Sequence, residues 1–286
     1  MAGDLHCHTR LSDGSMGIDH LIALAKKQGI ATIAVTDQDC LAGVVRARII
    51  GERHGVQVIP GVELSCTNPA NGKEVHMLCY LSESPDRLEG LCKSNLSVRK
   101  RASQHMLLKL MQRYPIDAEL VQEYAKGSTC VYPQHMVRAL LESGLTDHMY
   151  GGVFQELFHA ESADNILVHP RFPSPLEALE AIHQSGGIAV LAHPGENDAA
   201  GLLDELIAAG LDGVEVYHRS NPRELQKQLL ALAKNENILV TGGSDFRGMY
   251  SCGCVTVGHE QVNDSQVNSV LTYKSRMRRT RRPAVV

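Results

Sequence analysis

The chain has 286 residues, 43% hydrophobic and 21% charged, with a formal net charge of -4. That length holds one large α/β domain or a barrel with an inserted lobe, and the charge balance excludes a global field that would draw the protein to nucleic acid. No apolar run reaches membrane-spanning length, no secretory signal follows Met1, and the eight cysteines are scattered apart from Cys252 and Cys254; reduced thiols in a cytoplasmic protein are expected.

In chain order, Asp4-Leu-His6-Cys-His8-Thr9 reads as a short strand. Its alternation places His6 and His8 on one face, which is half of a metal site. Apolar spacing predicts a helix over 18–28, and a β-branched run over 31–37 ends at Thr36-Asp37. A helix over 41–54, a strand over 56–64 ending at Pro60-Gly-Val-Glu63, and a strand over 74–80 carrying His76 follow. Strand patterns then vanish: residues 85–113 have a long helical period, with shorter ones over 116–126, 133–143 and 147–158. After Pro170, Pro173 and Pro175 the alternation resumes, with helices over 175–185, 199–209 and 222–236. The strands between and after them are 188–193, ending at His193, 213–218, and 238–244, leading into Asp245.

Seven strands alternating with helices predict seven βα units around a mainly parallel sheet. The expected architecture is an α/β barrel, with an open doubly wound sheet as the alternative. Residues 1–84 and 175–273 form the barrel, and 85–174 are an inserted helical lobe. Residues 274–286 are a basic tail carrying Lys274, Arg276, Arg278, Arg279, Arg281 and Arg282, expected to be solvated and disordered, with non-specific RNA contact as the alternative.

His6, His8, Asp37, Glu63, His76, His193 and Asp245 all stand where a barrel strand hands over to its loop. Singly, each has an ordinary explanation: His76 as a core histidine, Glu63 as a loop ion-pair partner, His193 as a helix-cap donor. So many ionisable groups at one rim would be costly to bury unpaired, and cations resolve that cost. A mixed imidazole and carboxylate set suits Mn, Fe or Zn better than Mg or Ca.

The ordered motifs His6-x-His8, Thr36-Asp37, Pro60-Gly-Val-Glu63, His76, Ala192-His193-Pro194 and Gly243-Ser244-Asp245 resemble those of the PHP (polymerase and histidinol phosphatase) family of metal-dependent phosphoesterases. The resemblance implies a distorted (β/α)7 barrel with two or three divalent ions, Mn2+ first, with Fe2+ or Zn2+ as alternatives. One ion would take His6, His8, Glu63 and Asp245; a second would share Glu63 and add His76 and His193. Members with a third ion use ligands near Asp13 and histidines at the positions of Gln38 and Arg247. Glutamine is a poor ligand and arginine is none, so only Asp13 remains there.

The lobe segment Pro133-x-His135-x-x-Arg138 is similar to a bacterial subgroup of 3',5'-nucleotide bisphosphate phosphatases and RNA 5'-end exonucleases. The implied reaction is phosphomonoester hydrolysis by metal-activated hydroxide, with His193 or Asp13 assisting proton transfer. Asp13, Gln38, Arg99, Arg101, His135, Arg138 and Arg247 are the candidate substrate contacts. Arg247 is expected to clamp a phosphate, or alternatively to pair with Asp13 or Asp37. The expected substrate is a small phosphorylated nucleotide or short oligoribonucleotide, with neither a membrane nor stable DNA binding. Alternatives are 5'-3' exoribonuclease, histidinol-phosphate phosphatase, an amidohydrolase-like enzyme attacking a C–N or triester bond, and a decayed domain kept for binding.

Overall fold

In the computed structural model, which describes residues 2–159 and 162–280, seven strands form one sheet in sequence order. They are β1 (Ala2–Cys7), β2 (Ile30–Val35), β3 (Gln57–Thr67), β4 (Glu74–Tyr80), β5 (Ile188–Leu191), β6 (Gly213–Tyr217) and β7 (Leu239–Gly242). Helices α1 (Ile18–Lys27) and α2 (Val44–His54) connect the first three strands, and Gly55, at φ 70°, ends α2 in the left-handed conformation that glycine tolerates. Between β4 and β5 run α3 (Asp86–Arg113), α4 (Ala118–Tyr124), α5 (Pro133–Glu142), α6 (Gly152–Phe158) and α7 (Pro175–Gln184). Helices α8 (Leu203–Ala208) and α9 (Arg223–Glu236) follow β5 and β6, and α10 (Asp264–Thr280) closes the described chain.

The seven expected βα units need one correction. β3 leads into β4 by a hairpin, and β4 is antiparallel to both neighbours. The cause is local: Asn68 and Asn71 side chains accept from the backbone N–H groups of Ala70 and Lys73, and Gly72 takes φ 72°. These are the residues that turn a chain back on itself within a few positions.

The first strand meets the segment just past the last. Cys7 bridges Phe246, and the His8 N–H donates to the Phe246 carbonyl at 2.9 Å. Asp4, fully buried, fixes this seam by accepting from the Ser244 N–H and hydroxyl and from the Gly258 N–H.

The stretch between β4 and α7 has its own apolar cluster, including Met106, Leu110, Val121, Met136, Leu140, Leu157 and Ile166. It is tied to the barrel loops: Thr129 N–H donates to the Leu11 carbonyl, and the Tyr150 hydroxyl to the Tyr250 carbonyl.

The basic tail also needs correction. Up to residue 280 it is helix α10, whose Val267 and Val270 are buried against Leu5 and Leu239. Lys274 donates to the Leu81 carbonyl, and Arg278 pairs with Glu83 at 2.5 Å. Arg281 and Arg282 lie outside the described residues. No helix among those residues is long and apolar enough to cross a membrane.

Candidate metal centre

Alternation in β1 sends both histidines to one face, and two backbone distortions complete the rim. His193, past β5, has φ 25° and Asp245, past β7, has φ 50°, conformations that cost energy outside glycine and concentrate at functional sites. Gly243 lets the chain approach β1 closely; a Cβ there would lie 2.4 Å from the His6 nitrogen.

Two groups of potential ligands result, His6–His8–Glu63 and Glu63–His76–His193, and they share Glu63. Glu63 Oε1 lies 3.3 Å from His6 Nε2, 3.2 Å from His76 Nδ1 and 3.1 Å from His193 Nε2. Its Oε2 lies 3.3 Å from His8 Nε2. Asp245 Oδ1 stands 3.6 Å from His6 Nε2 and 3.1 Å from His8 Nε2. Ligands bound at about 2.1 Å in a tetrahedral array are separated by roughly 3.4 Å, so these spacings are those of atoms that face a common ion. Buried His6 Nε2, His8 Nε2, Glu63 Oε2 and Asp245 Oδ1 make no hydrogen bond. Four such atoms in one place are explained by a cation, and the residues therefore fit a divalent metal.

The rear nitrogens of these histidines are held by carboxylates, the usual way a ligand ring is oriented. His6 Nδ1 meets Glu215 at 3.0 Å, His8 Nδ1 meets Asp13 at 3.0 Å, and His76 Nε2 meets Glu74 at 3.1 Å. Burial raises the Glu63 pKa, but the charges of His76 and His6 outweigh it and hold the group well below the usual range. Burial likewise opposes ionisation of Asp245, and Arg247 and His6 prevail.

The expected residues divide into three sets. His6, His8, Glu63, His76, His193 and Asp245 come together. Asp13, Gln38 and Arg247 sit directly around them: Arg247 Nε donates to Asp13 at 2.6 Å and its Nη1 to Asp245, while Nη2 is 3.8 Å from Glu63. Gln38 Nε2 reaches His76 Nε2 at 2.9 Å and Ser65 Oγ at 3.1 Å. Arg247 and His8 keep Asp13 ionised against the effect of burial, so Asp13 is suited to accept a proton or hydrogen bond rather than to donate one.

The third set has other work. Arg99 is buried, bonding Glu74 at 2.8 Å and Ser65 at 2.6 Å, with the Tyr132 and Phe172 rings against its guanidinium. Arg101 is on the exposed face of α3. Arg138 pairs with Glu142 within α5 and lies over Tyr124. His135 caps its own helix, Nδ1 accepting the Tyr132 N–H at 3.1 Å, and burial lowers its pKa to about 4. Asp37 spends both oxygens on Thr9 and Ser12, shaping the loop after β1.

Sequence reasoning missed Glu74, Glu215 and His218. The signal for Glu215 was an acidic side chain in the middle of an apolar strand, and for His218 a histidine just past a strand end.

A mainly parallel sheet with helices outside it, carrying a histidine and carboxylate cluster on and just past its strands, defines the class of α/β metal-dependent hydrolases. Residues 4–240 match the PHP domain model, and the chain belongs to that family; it is a PHP-family phosphoesterase. It is 33% identical over 252 residues to phosphoribosyl 1,2-cyclic phosphate 1,2-diphosphodiesterase of Eggerthella lenta, covering 87% of this chain and 95% of that protein. It is 28% identical to 3',5'-nucleoside bisphosphate phosphatase of Chromobacterium violaceum, covering 90% and 91%. Among solved structures, a presumptive metal-dependent phosphoesterase of Bifidobacterium adolescentis superposes with a TM-score of 0.84 at 30% identity, over 94% and 95% of the two chains.

Proposed function

We propose that this chain hydrolyses a phosphate ester carried on ribose, removing the 3'-phosphate of a 3',5'-nucleoside bisphosphate with two Mn2+ ions in a reducing, cytoplasmic setting. The observation that supports it most is Glu63, a buried carboxylate shared by two groups of potential ligands, the first of which keeps buried atoms without a hydrogen bond. Ions bound there would polarise the phosphoester and supply the nucleophile. His6, His8, Glu63 and Asp245 would hold one, and Glu63, His76 and His193 the other. Arg247 contacts Asp13 and Asp245 through two of its nitrogens, which leaves Nη2 to meet a phosphate oxygen. The Chromobacterium violaceum phosphatase supports this substrate. A second reading, a cyclic ribose phosphodiester, is favoured by the Eggerthella lenta relative.

The test is turnover by Mn2+-loaded protein on adenosine 3',5'-bisphosphate, a 5'-phosphorylated oligoribonucleotide and phosphoribosyl 1,2-cyclic phosphate. The bisphosphate is expected to give the highest kcat/KM. Preference for the cyclic ester selects the second reading, and preference for the oligonucleotide overturns both.

A further inference from the structure

His218 follows directly on β6 and is fully buried. Its ring lies 5.1 Å from that of His193 and 6.2 Å from that of His6, beside members of both ligand groups. The Ser220 backbone N–H donates to His218 Nδ1 at 3.2 Å, and the Ser220 hydroxyl is 2.6 Å from the same atom. A ring nitrogen that accepts a backbone N–H carries no proton, so the neutral imidazole holds its proton on Nε2. That nitrogen is buried without a hydrogen bond, 3.7 Å from Asp245 Oδ2, an oxygen already engaged by Arg247. A protonated nitrogen does not ligate a metal. It donates, and beside a site for phosphate the matching acceptor is an anionic oxygen.

We propose that His218 is a catalytic residue whose fixed Nε2–H donates to a phosphoryl oxygen of the substrate lying between the two ligand groups. This rests on the phosphoester reading above and adds to it a contact that comes from the chain itself rather than from an ion.

Full-length wild type, His218→Ala and His218→Gln are to be compared for bound Mn2+ and for affinity of the loaded protein for inorganic phosphate. Both variants are expected to retain the wild-type Mn2+ content. His218→Ala should bind phosphate roughly 10-fold more weakly and lose about 100-fold in kcat. His218→Gln, whose amide N–H reaches the place of Nε2, should recover most of both. Should His218→Ala fail to fold, His218→Phe keeps a ring without the N–H and carries the same comparison. Unchanged phosphate affinity in the variant lacking the donor overturns the proposal, and so does loss of one ion, which would make His218 a ligand. A wild type that holds no Mn2+ overturns the metal-centre reading itself, and this inference with it.

Discussion

At the residue scale, Glu63 and Arg247 carry opposite expectations. Glu63→Gln removes the charge that both ligand groups share, so two ions should be lost, whereas His76→Ala should cost only one. Metal content per chain after dialysis separates the two; full loading of the Glu63→Gln protein would sink the shared-ligand assignment. Arg247 competes with cations for Asp13 and Asp245. Arg247→Ala should therefore bind Mn2+ more tightly, yet lose about 2–4 kcal/mol of transition-state stabilisation. Equal or weaker Mn2+ binding would show that the guanidinium organises the carboxylates rather than blocking them. The candidate ligand residues were legible because they lie on or just past apolar strands; that each would end its strand does not hold, since Glu63 is inside β3 and His76 is near the start of the antiparallel β4. Arg247 was legible as a departure from the family motif, and Asp13, over two hundred positions away, as an acid it could meet; its contact with Asp245 rather than Asp37 was not.

At the scale of elements, α3 does more than present a basic face. Arg99 reaches from it to Glu74, which meets the rear nitrogen of His76. Arg99→Met should thus weaken one ion's binding by about 10–100-fold, while Arg101→Ala, exposed two residues on, should leave both ions and stability within about 0.5 kcal/mol. Equal effects of the two substitutions, by calorimetric Mn2+ titration, would refute the link. Helical periodicity found α3 almost to the residue, but its apolar stripe does not reveal a buried arginine. The burial follows from a neighbouring strand supplying Glu74 and a turn supplying Asp39, partners that no local window contains. The β3–β4 hairpin was misread for the opposite reason: Asn68, Asn71 and Gly72 announced it locally, and the expectation of regular βα units overrode them.

For the whole molecule, the cluster makes stability depend on pH and metal together. Burial and Arg247 oppose a proton on His8, but Asp13 outweighs them and raises it to about 9. Burial opposes one on His76, and Glu63 and Glu74 raise it to about 10. Raised groups stabilise the metal-free fold fully below their unfolded value near 6.5, and that contribution disappears as pH climbs through 9 to 10. Glu74 is lowered to about 2, against burial, by Arg99 and His76; its contribution is present above about 4.5 and fades on acidification. Chelated protein should therefore have its highest Tm between about pH 4.5 and 6.5 and melt lower at pH 9. Mn2+-loaded protein needs the same nitrogens free of protons, so the Tm gap between the two should widen from pH 6 to pH 9. Scanning calorimetry with and without chelator checks this; a chelated Tm that rises over that span would contradict it.

The seam between β1 and the segment after β7 has a further consequence for synthesis. His6 and His8 are translated more than two hundred positions before Asp245, which lies 3.6 Å from His6 in the folded chain. At elongation speeds of about 5–20 residues per second the interval is on the order of 10–50 s. Throughout it the nascent polypeptide can offer an ion a histidine pair and then Glu63, but never the finished cage. Tight metal capture is thereby deferred until translation has passed the final strand, and a prematurely terminated product is left a weak chelator.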